Sequence, residues 1–204
     1  MKLILASDLS FLLKYGYDLT GISKNQMSVG YVTTASKGTP NSDYIKKYSK
    51  IISENGIYLK EIDIENKNEE ELRAFFKDKN IIHIEGGSTF YLLNAMKANG
   101  FDKLLIELLN QGKVYIGTSA GAAIMGITIK SSSGIPENPT KEMLRGLGLA
   151  PFVIQAHYTD DKKEEYKEKT KDLEYPVKFL RDGQGYFVED DNYTFIGEVE
   201  EVKI

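Results

Sequence analysis

Ser119 stands in the stretch GTSAGAA (117–123), directly after the apolar run KVYI, with Gly117 and Gly121 two positions to either side and Ala120 and Ala122 adding little bulk. A strand that ends in G-x-S-x-G and passes into a helix turns sharply enough to lift the serine hydroxyl clear of the sheet, where it can attack a carbonyl carbon. The same turn frees the N–H of the following residue, Ala120, to stabilise an oxyanion. Small residues at this spacing would equally serve close packing of a strand on a helix. The partners available to the serine decide between the two readings.

A serine of ordinary acidity needs a base. The chain has 2 histidines and no cysteine, which excludes thiolate nucleophiles, zinc-thiolate sites and disulfides, and leaves His83 or His157. His83 lies inside the run NIIHIEGG, where a sheet-face imidazole with a local hydrogen bond is expected. His157 ends VIQAHY and enters the polar segment YTDD, the kind of place where functional groups of parallel sheets gather. His157 is therefore the expected general base, taking the Ser119 proton and later handing it to a leaving amine. A third group should orient the imidazole, and the candidates downstream are Asp160, Asp161, Asp182 and Glu189. Asp160 and Asp161 also open a lysine-rich helix, where capping explains at least one of them, and Asp182 also suits a D-G turn in LRDGQG.

The elements that must hold these groups follow from short β-branched runs bounded by turn residues. LILAS, SVGYVTT (28–34), IYLKEIDI (57–64), NIIHIEG (80–86) and KVYIGT (113–118) read as strands. Between them PNSDYIKKYSKIISENG places Tyr44, Ile45, Tyr48, Ile51 and Ile52 on one helical face, and EEELRAFFKD repeats the design with Leu72, Phe75 and Phe76. STFYLLNAMKANG and DKLLIELLNQG are two further helices, each ending at a glycine. Alternation of strand and helix predicts a parallel sheet covered on both faces. Beyond residue 126, SSSGIPENP is a loop, VIQAHY a strand, DDKKEEYKEKTKDL a charged helix, and VKFL, GYFVED and YTFIGEVEEV closing strands.

At 204 residues and 41% hydrophobic composition the chain suits one folded unit over 1–204. Its 26 basic and 30 acidic residues are scattered and leave a formal charge of −4, which argues against a general role on nucleic acid or an anionic membrane. No run of about 18 apolar residues occurs, and the expected setting is cytoplasmic.

LILAS, VTTAS, EGGSTFYLL, KVYIGTSAGAA, QAHYTD and LRDGQGYFV, in this order and over nearly the whole chain, together resemble the dipeptidase E (peptidase E, aspartyl dipeptidase) family of serine peptidases. The resemblance implies an α/β fold: a three-layer αβα sandwich with a mainly parallel sheet, similar to class I glutamine amidotransferases. It implies Ser119 as nucleophile, His157 as base, and Asp182 as the acid where the family's dipeptidase carries a glutamate. The Gly-Gly-Asn/Asp-Thr turn of the family corresponds to Gly86, Gly87, Ser88 and Thr89, which puts the Gly87 amide beside that of Ala120 in an oxyanion hole and Ser88 and Thr89 at the substrate. A second assignment of the acid within the family falls near Gly134, where no carboxylate is available. No metal or cofactor is implied, the expected partner is a small peptide substrate, and the chain would be a monomer or homodimer.

Specificity departs from the family's pattern. Aspartyl dipeptidases use an arginine after the catalytic histidine, whereas no arginine occurs here between His157 and Arg181. The lysines of that segment, Lys162, Lys163, Lys167, Lys169 and Lys171, lack the planar fork of a guanidinium and read as a solvated helix face. The expectation is thus a serine peptidase for short peptides, with two other readings: an esterase or amidase for a small non-peptide metabolite, and a binding protein that keeps the fold with weakened catalysis.

Overall fold

The computed structural model describes residues 1–190 and 192–204. Its central sheet has seven strands in the order β3-β2-β4-β5-β1-β8-β9, with β1 Lys2–Ala6, β2 Ser28–Val32, β3 Tyr58–Ile62, β4 Ile81–Ile84, β5 Val114–Thr118, β8 Gly185–Glu189 and β9 Asn192–Ile196. The first five run parallel, and β8 and β9 add to the β1 edge in antiparallel sense. Two further strands, β6 Val153–Gln155 and β7 Val177–Phe179, form a separate parallel pair.

Successive residues of a strand point to opposite faces, and the inner strands are apolar on both. Leu3 and Leu5 of β1, Ile82 and Ile84 of β4, and Tyr115 of β5 join one buried cluster with residues of the helices Glu69–Phe76, Thr89–Asn99 and Phe101–Asn110. Ile4 and Ala6, Ile81, and Val114 and Ile116 face the other way, against Ile45 and Ile52 of the helix Asp43–Glu54 and Leu9, Phe11, Leu12 and Tyr17 near the N-terminus. The result is the mainly parallel sheet between helical layers that the alternation of elements predicts.

Local chemistry sets the helix ends. Asn68 caps Glu69–Phe76 in a reciprocal capping box with Glu71, Ser88 caps Thr89–Asn99, and Gly100 ends that helix in a left-handed conformation.

Three segments differ from the sequence reading. Residues 9–19, for which no element is expected, form helical turns with a π-helical segment, Leu12–Gly16, in the middle. VIQAHY is strand only as far as Gln155. The Leu180 N–H donates to the Gln155 carbonyl and the Leu180 carbonyl accepts from Tyr158 N–H, both at 2.9 Å, so Ala156 and His157 are pushed out of the ladder. YTFIGEVEEV ends as strand at Ile196, and beyond it Val202 contributes an isolated bridge to Phe179. Charge and exposure from Glu198 to Glu200 leave no apolar face to hold a strand there.

Phe76 is fully buried and stacks on Phe101 with ring centroids 5.3 Å apart. Phe76→Ala should lower unfolding free energy by about 3–5 kcal/mol, read from urea denaturation.

Candidate active site

The carboxyl ends of β1, β4 and β5 lie side by side, and each continues into residues of the site. β5 enters the helix Ala120–Ala123 through Ser119, whose backbone has φ 48° and ψ −104°. Such a conformation is costly for a residue with a side chain and persists only where its surroundings hold it. Here the Ser119 N–H donates to the Ala6 carbonyl of β1 (2.9 Å) and its carbonyl accepts from Ala123 N–H (2.9 Å). The flanking glycines are required by space: a Cβ on Gly121 would run into the Ile84 carbonyl oxygen of β4, and one on Gly117 into the backbone of Gly121.

The Ser119 hydroxyl meets an imidazole. His157 Nε2 lies 2.9 Å from Ser119 Oγ, and its Nδ1 lies 2.6 Å from Asp182 Oδ1. An ionised carboxylate only accepts, so Nδ1 carries the proton and Nε2 is left as acceptor toward the serine O–H. The side chains of His157 and Asp182 are 51% and 62% exposed, so the pair stands open to solvent. An arrangement of this kind can move a proton from the hydroxyl to the ring while the carboxylate steadies the resulting cation.

The bulge at His157 is held from both sides. Its φ is +59°; its N–H donates to Ser7 Oγ (3.1 Å), and its carbonyl accepts from the Tyr166 hydroxyl (3.0 Å). Ser7, fully buried just past β1, also donates to Asp182 Oδ1 at 3.1 Å, so one hydroxyl touches both His157 and Asp182. Asp182 occupies the turn between β7 and β8, and the next residue, Gly183, donates its N–H to Asp8 Oδ1 (2.9 Å). Neither Ser7 nor Tyr166 is singled out by sequence motifs. A buried tyrosine in an otherwise charged helix, Lys163–Thr170, is the signal that could have found the second.

The other candidate acids are engaged elsewhere. Asp160 pairs with Arg181 (2.7 Å), which holds its carboxyl below the ordinary range, and Glu189 faces Lys2 at 3.4 Å. Asp161 forms no hydrogen bond to His157. Lys167, Lys169 and Lys171 pair with Glu164, Glu165 and Glu168 along their own segment, as a solvated helix face requires.

On β4 the chain leaves the sheet through Glu85, Gly86 and Gly87. Gly86 packs on Ser119, and Gly87 has φ 141°, a conformation for glycine, with the Ala35 backbone filling the space of any Cβ. Among the described residues neither the Gly87 N–H nor the Ala120 N–H finds an acceptor. The Ser88 hydroxyl accepts from Tyr91 N–H as a helix cap, and Thr89 is buried at the first helical position. Both therefore have structural employment beside any contact with substrate. No cluster of three or more His, Asp or Glu side chains suited to a metal ion occurs among the described residues.

His83 is fully buried on β4, with Nε2 3.0 Å from Thr118 Oγ1 and the Tyr31 ring edge-on at 4.8 Å. Burial pushes its pKa down to about 4, against a weaker upward pull from Glu85. It is the sheet histidine that its apolar flanks suggest.

Residues 11–196 match the family model of peptidase family S51. The chain belongs to peptidase family S51. This S51 chain is 30% identical over 136 residues to the Listeria innocua peptidase Lin0382, an alignment spanning 65% of each protein. It is 28% identical over 162 residues to the Pasteurella multocida peptidase PM1590, covering 78% of each, and 30% identical over 140 residues to peptidase E of Shewanella amazonensis, covering 63% of this chain and 58% of that one. A crystal structure of a peptidase E-type protein from Listeria monocytogenes superposes with a TM-score of 0.79 at 24% identity, over 97% of this chain and 98% of the other. Membership of the family makes the S51 chain a peptidase, and the superposition shows the shared fold.

Two outcomes are expected. Gly121→Ala should destabilise the fold by about 1–3 kcal/mol through overpacking against β4, read as a lower melting temperature. The depressed pKa of His83 means that its contribution is complete above the ordinary value of 6.5 and is lost as pH falls toward 4. The parent should therefore lose on the order of 3 kcal/mol more stability than His83→Gln between pH 7 and pH 4, measured by denaturation at each pH.

Proposed function

We propose that the chain is a serine peptidase that hydrolyses short peptides through an acyl-enzyme on Ser119. The observation that carries this reading is the pair of contacts made by one imidazole, 2.9 Å to Ser119 Oγ and 2.6 Å to Asp182 Oδ1, at a strained turn in a member of a peptidase family.

In the proposed reaction Ser119 Oγ attacks the scissile carbonyl carbon as its proton passes to His157 Nε2. The carbonyl π electrons move to oxygen, and the oxyanion is met by the Gly87 and Ala120 amides. Collapse of the tetrahedral species breaks the C–N bond, and the amine leaves with the proton from His157. Water then attacks the acyl carbon, His157 takes its proton, and the second collapse returns that proton to Ser119 Oγ as the carboxylic acid departs. Asp182 accepts the Nδ1 hydrogen bond throughout and stabilises the imidazolium without taking its proton.

Strict recognition of an N-terminal aspartate is not part of the reading. Arg181 is engaged by Asp160 and lies over the Tyr158 ring, 5.0 Å from its centroid, and Lys167, Lys169 and Lys171 are matched by glutamates.

A fluorophosphonate probe should label the parent chain at Ser119, and Ser119→Ala should abolish labelling. His157→Ala should slow it by about 10²–10⁴-fold, whereas His83→Ala should leave the rate within a few-fold wherever the chain stays folded. Equal loss in both histidine variants, each shown to be folded by circular dichroism, would sink the assignment of the base. With a panel of dipeptides and acyl esters, turnover of esters alone would reject the peptidase activity proposed here.

A further inference from the structure

Beneath the proposed site lies a buried carboxylate that the mechanism above does not use. Glu85 is 3% exposed and has no lysine or arginine partner among the described residues. Its Oε2 accepts from the Tyr31 hydroxyl and its Oε1 from the Gly86 N–H, both at 2.6 Å. On the other side of the same residue, the Gly86 carbonyl accepts from the Tyr44 hydroxyl at 2.8 Å. One position further on, the Ser88 N–H donates to the Ala35 carbonyl at 2.9 Å.

The Gly86 N–H, the Gly86 carbonyl and the Ser88 N–H are thus committed, while the Gly87 N–H finds no acceptor among the described residues. The peptide is trans and planar, so its C=O and N–H point in opposite directions. Holding the Gly86 carbonyl against Tyr44 turns the Gly87 N–H away from Tyr44. Gly86 itself packs on Ser119: a Cβ built there would sit 3.7 Å from Oγ. A glycine pair has too much conformational freedom to hold one orientation unaided.

We propose that Tyr44 and Glu85 are positioning residues that fix the Gly86–Gly87 peptide so that the Gly87 N–H serves as an oxyanion donor. The proposal rests on the serine peptidase reading. Tyr44 acts through the carbonyl of the peptide, Glu85 through the preceding amide, and neither touches the reacting atoms. Tyr31 in turn fixes Glu85, and burial beside that carboxylate pushes the hydroxyl pKa of Tyr31 above the ordinary range.

The test is the second-order rate of Ser119 labelling by a fluorophosphonate, whose P=O must occupy the oxyanion position, followed from pH 5 to pH 9. Tyr44→Phe should lower the plateau rate by about tenfold, a fraction of the 10²–10³ that a whole donor is worth. Its pH midpoint, which reports His157, and its melting temperature should match those of the parent. Glu85→Gln, which keeps an acceptor for Gly86 N–H, should retain most of the rate, and Glu85→Leu should lose it. A Tyr44→Phe rate equal to the parent's overturns the proposal, as does a loss accompanied by a shifted midpoint, which would place the effect on His157. An unlabelled parent would instead overturn the serine peptidase reading and this proposal with it.

Discussion

Close approach of backbone to backbone at the end of β5 is the constraint on which the site depends. Gly121 lies against the Ile84 carbonyl of β4, and Gly117 against the backbone of Gly121. These contacts let the helix Ala120–Ala123 fold back over the sheet immediately after the strand. Ser119 is left on the outside of that turn at positive φ, and its hydroxyl projects beyond the strand ends. The hydrogen bond from its N–H to Ala6 ties the turn to β1, so the two central strands of the sheet fix the serine together. Packing of Ile82, Ile84 and Tyr115 in the core below therefore reaches the surface as the orientation of one side chain.

The partner side of the site is held by different means. His157 projects from a bulge, and its backbone is secured by two hydroxyl groups, those of Ser7 and Tyr166. Tyr166 belongs to a small apolar cluster with Tyr158 and Phe179, distinct from the two clusters that cover the sheet. The packed seven-stranded sheet supports the serine, while the imidazole is carried by a peripheral unit built around the β6–β7 pair. The two are joined through Ser7, which reaches from the end of β1 to both His157 and Asp182.

Much of this was legible in the sequence. The five parallel strands and the helices between them announce themselves because burial on both faces demands unbroken apolar runs, and amphipathic helices demand period 3.6. Ser119, His157 and Asp182 are legible as residue types at suitable places in that order. The supporting contacts are not. Tyr44 reads as one more apolar position on the helix Asp43–Glu54, yet its hydroxyl meets Gly86. Glu85 reads as the polar end of a strand, yet it is buried. Periodicity records which face of an element is covered, and carries no information on which backbone atom a terminal hydroxyl will find across the fold. VIQAHY reads as a longer strand than it forms for a related reason, since the bulge at His157 is imposed by Leu180, 23 residues later.

Along the chain the three side chains come in the order serine, histidine, aspartate, and the strand that follows the aspartate, β8, pairs antiparallel with the N-terminal strand β1. The chain up to Ile154 contains the Ser119 turn but not His157, and the turn that carries Asp182 is anchored through the Gly183 N–H on Asp8, near the N-terminus. The grouping of Ser119, His157 and Asp182 is thereby a property of the whole fold rather than of any one segment.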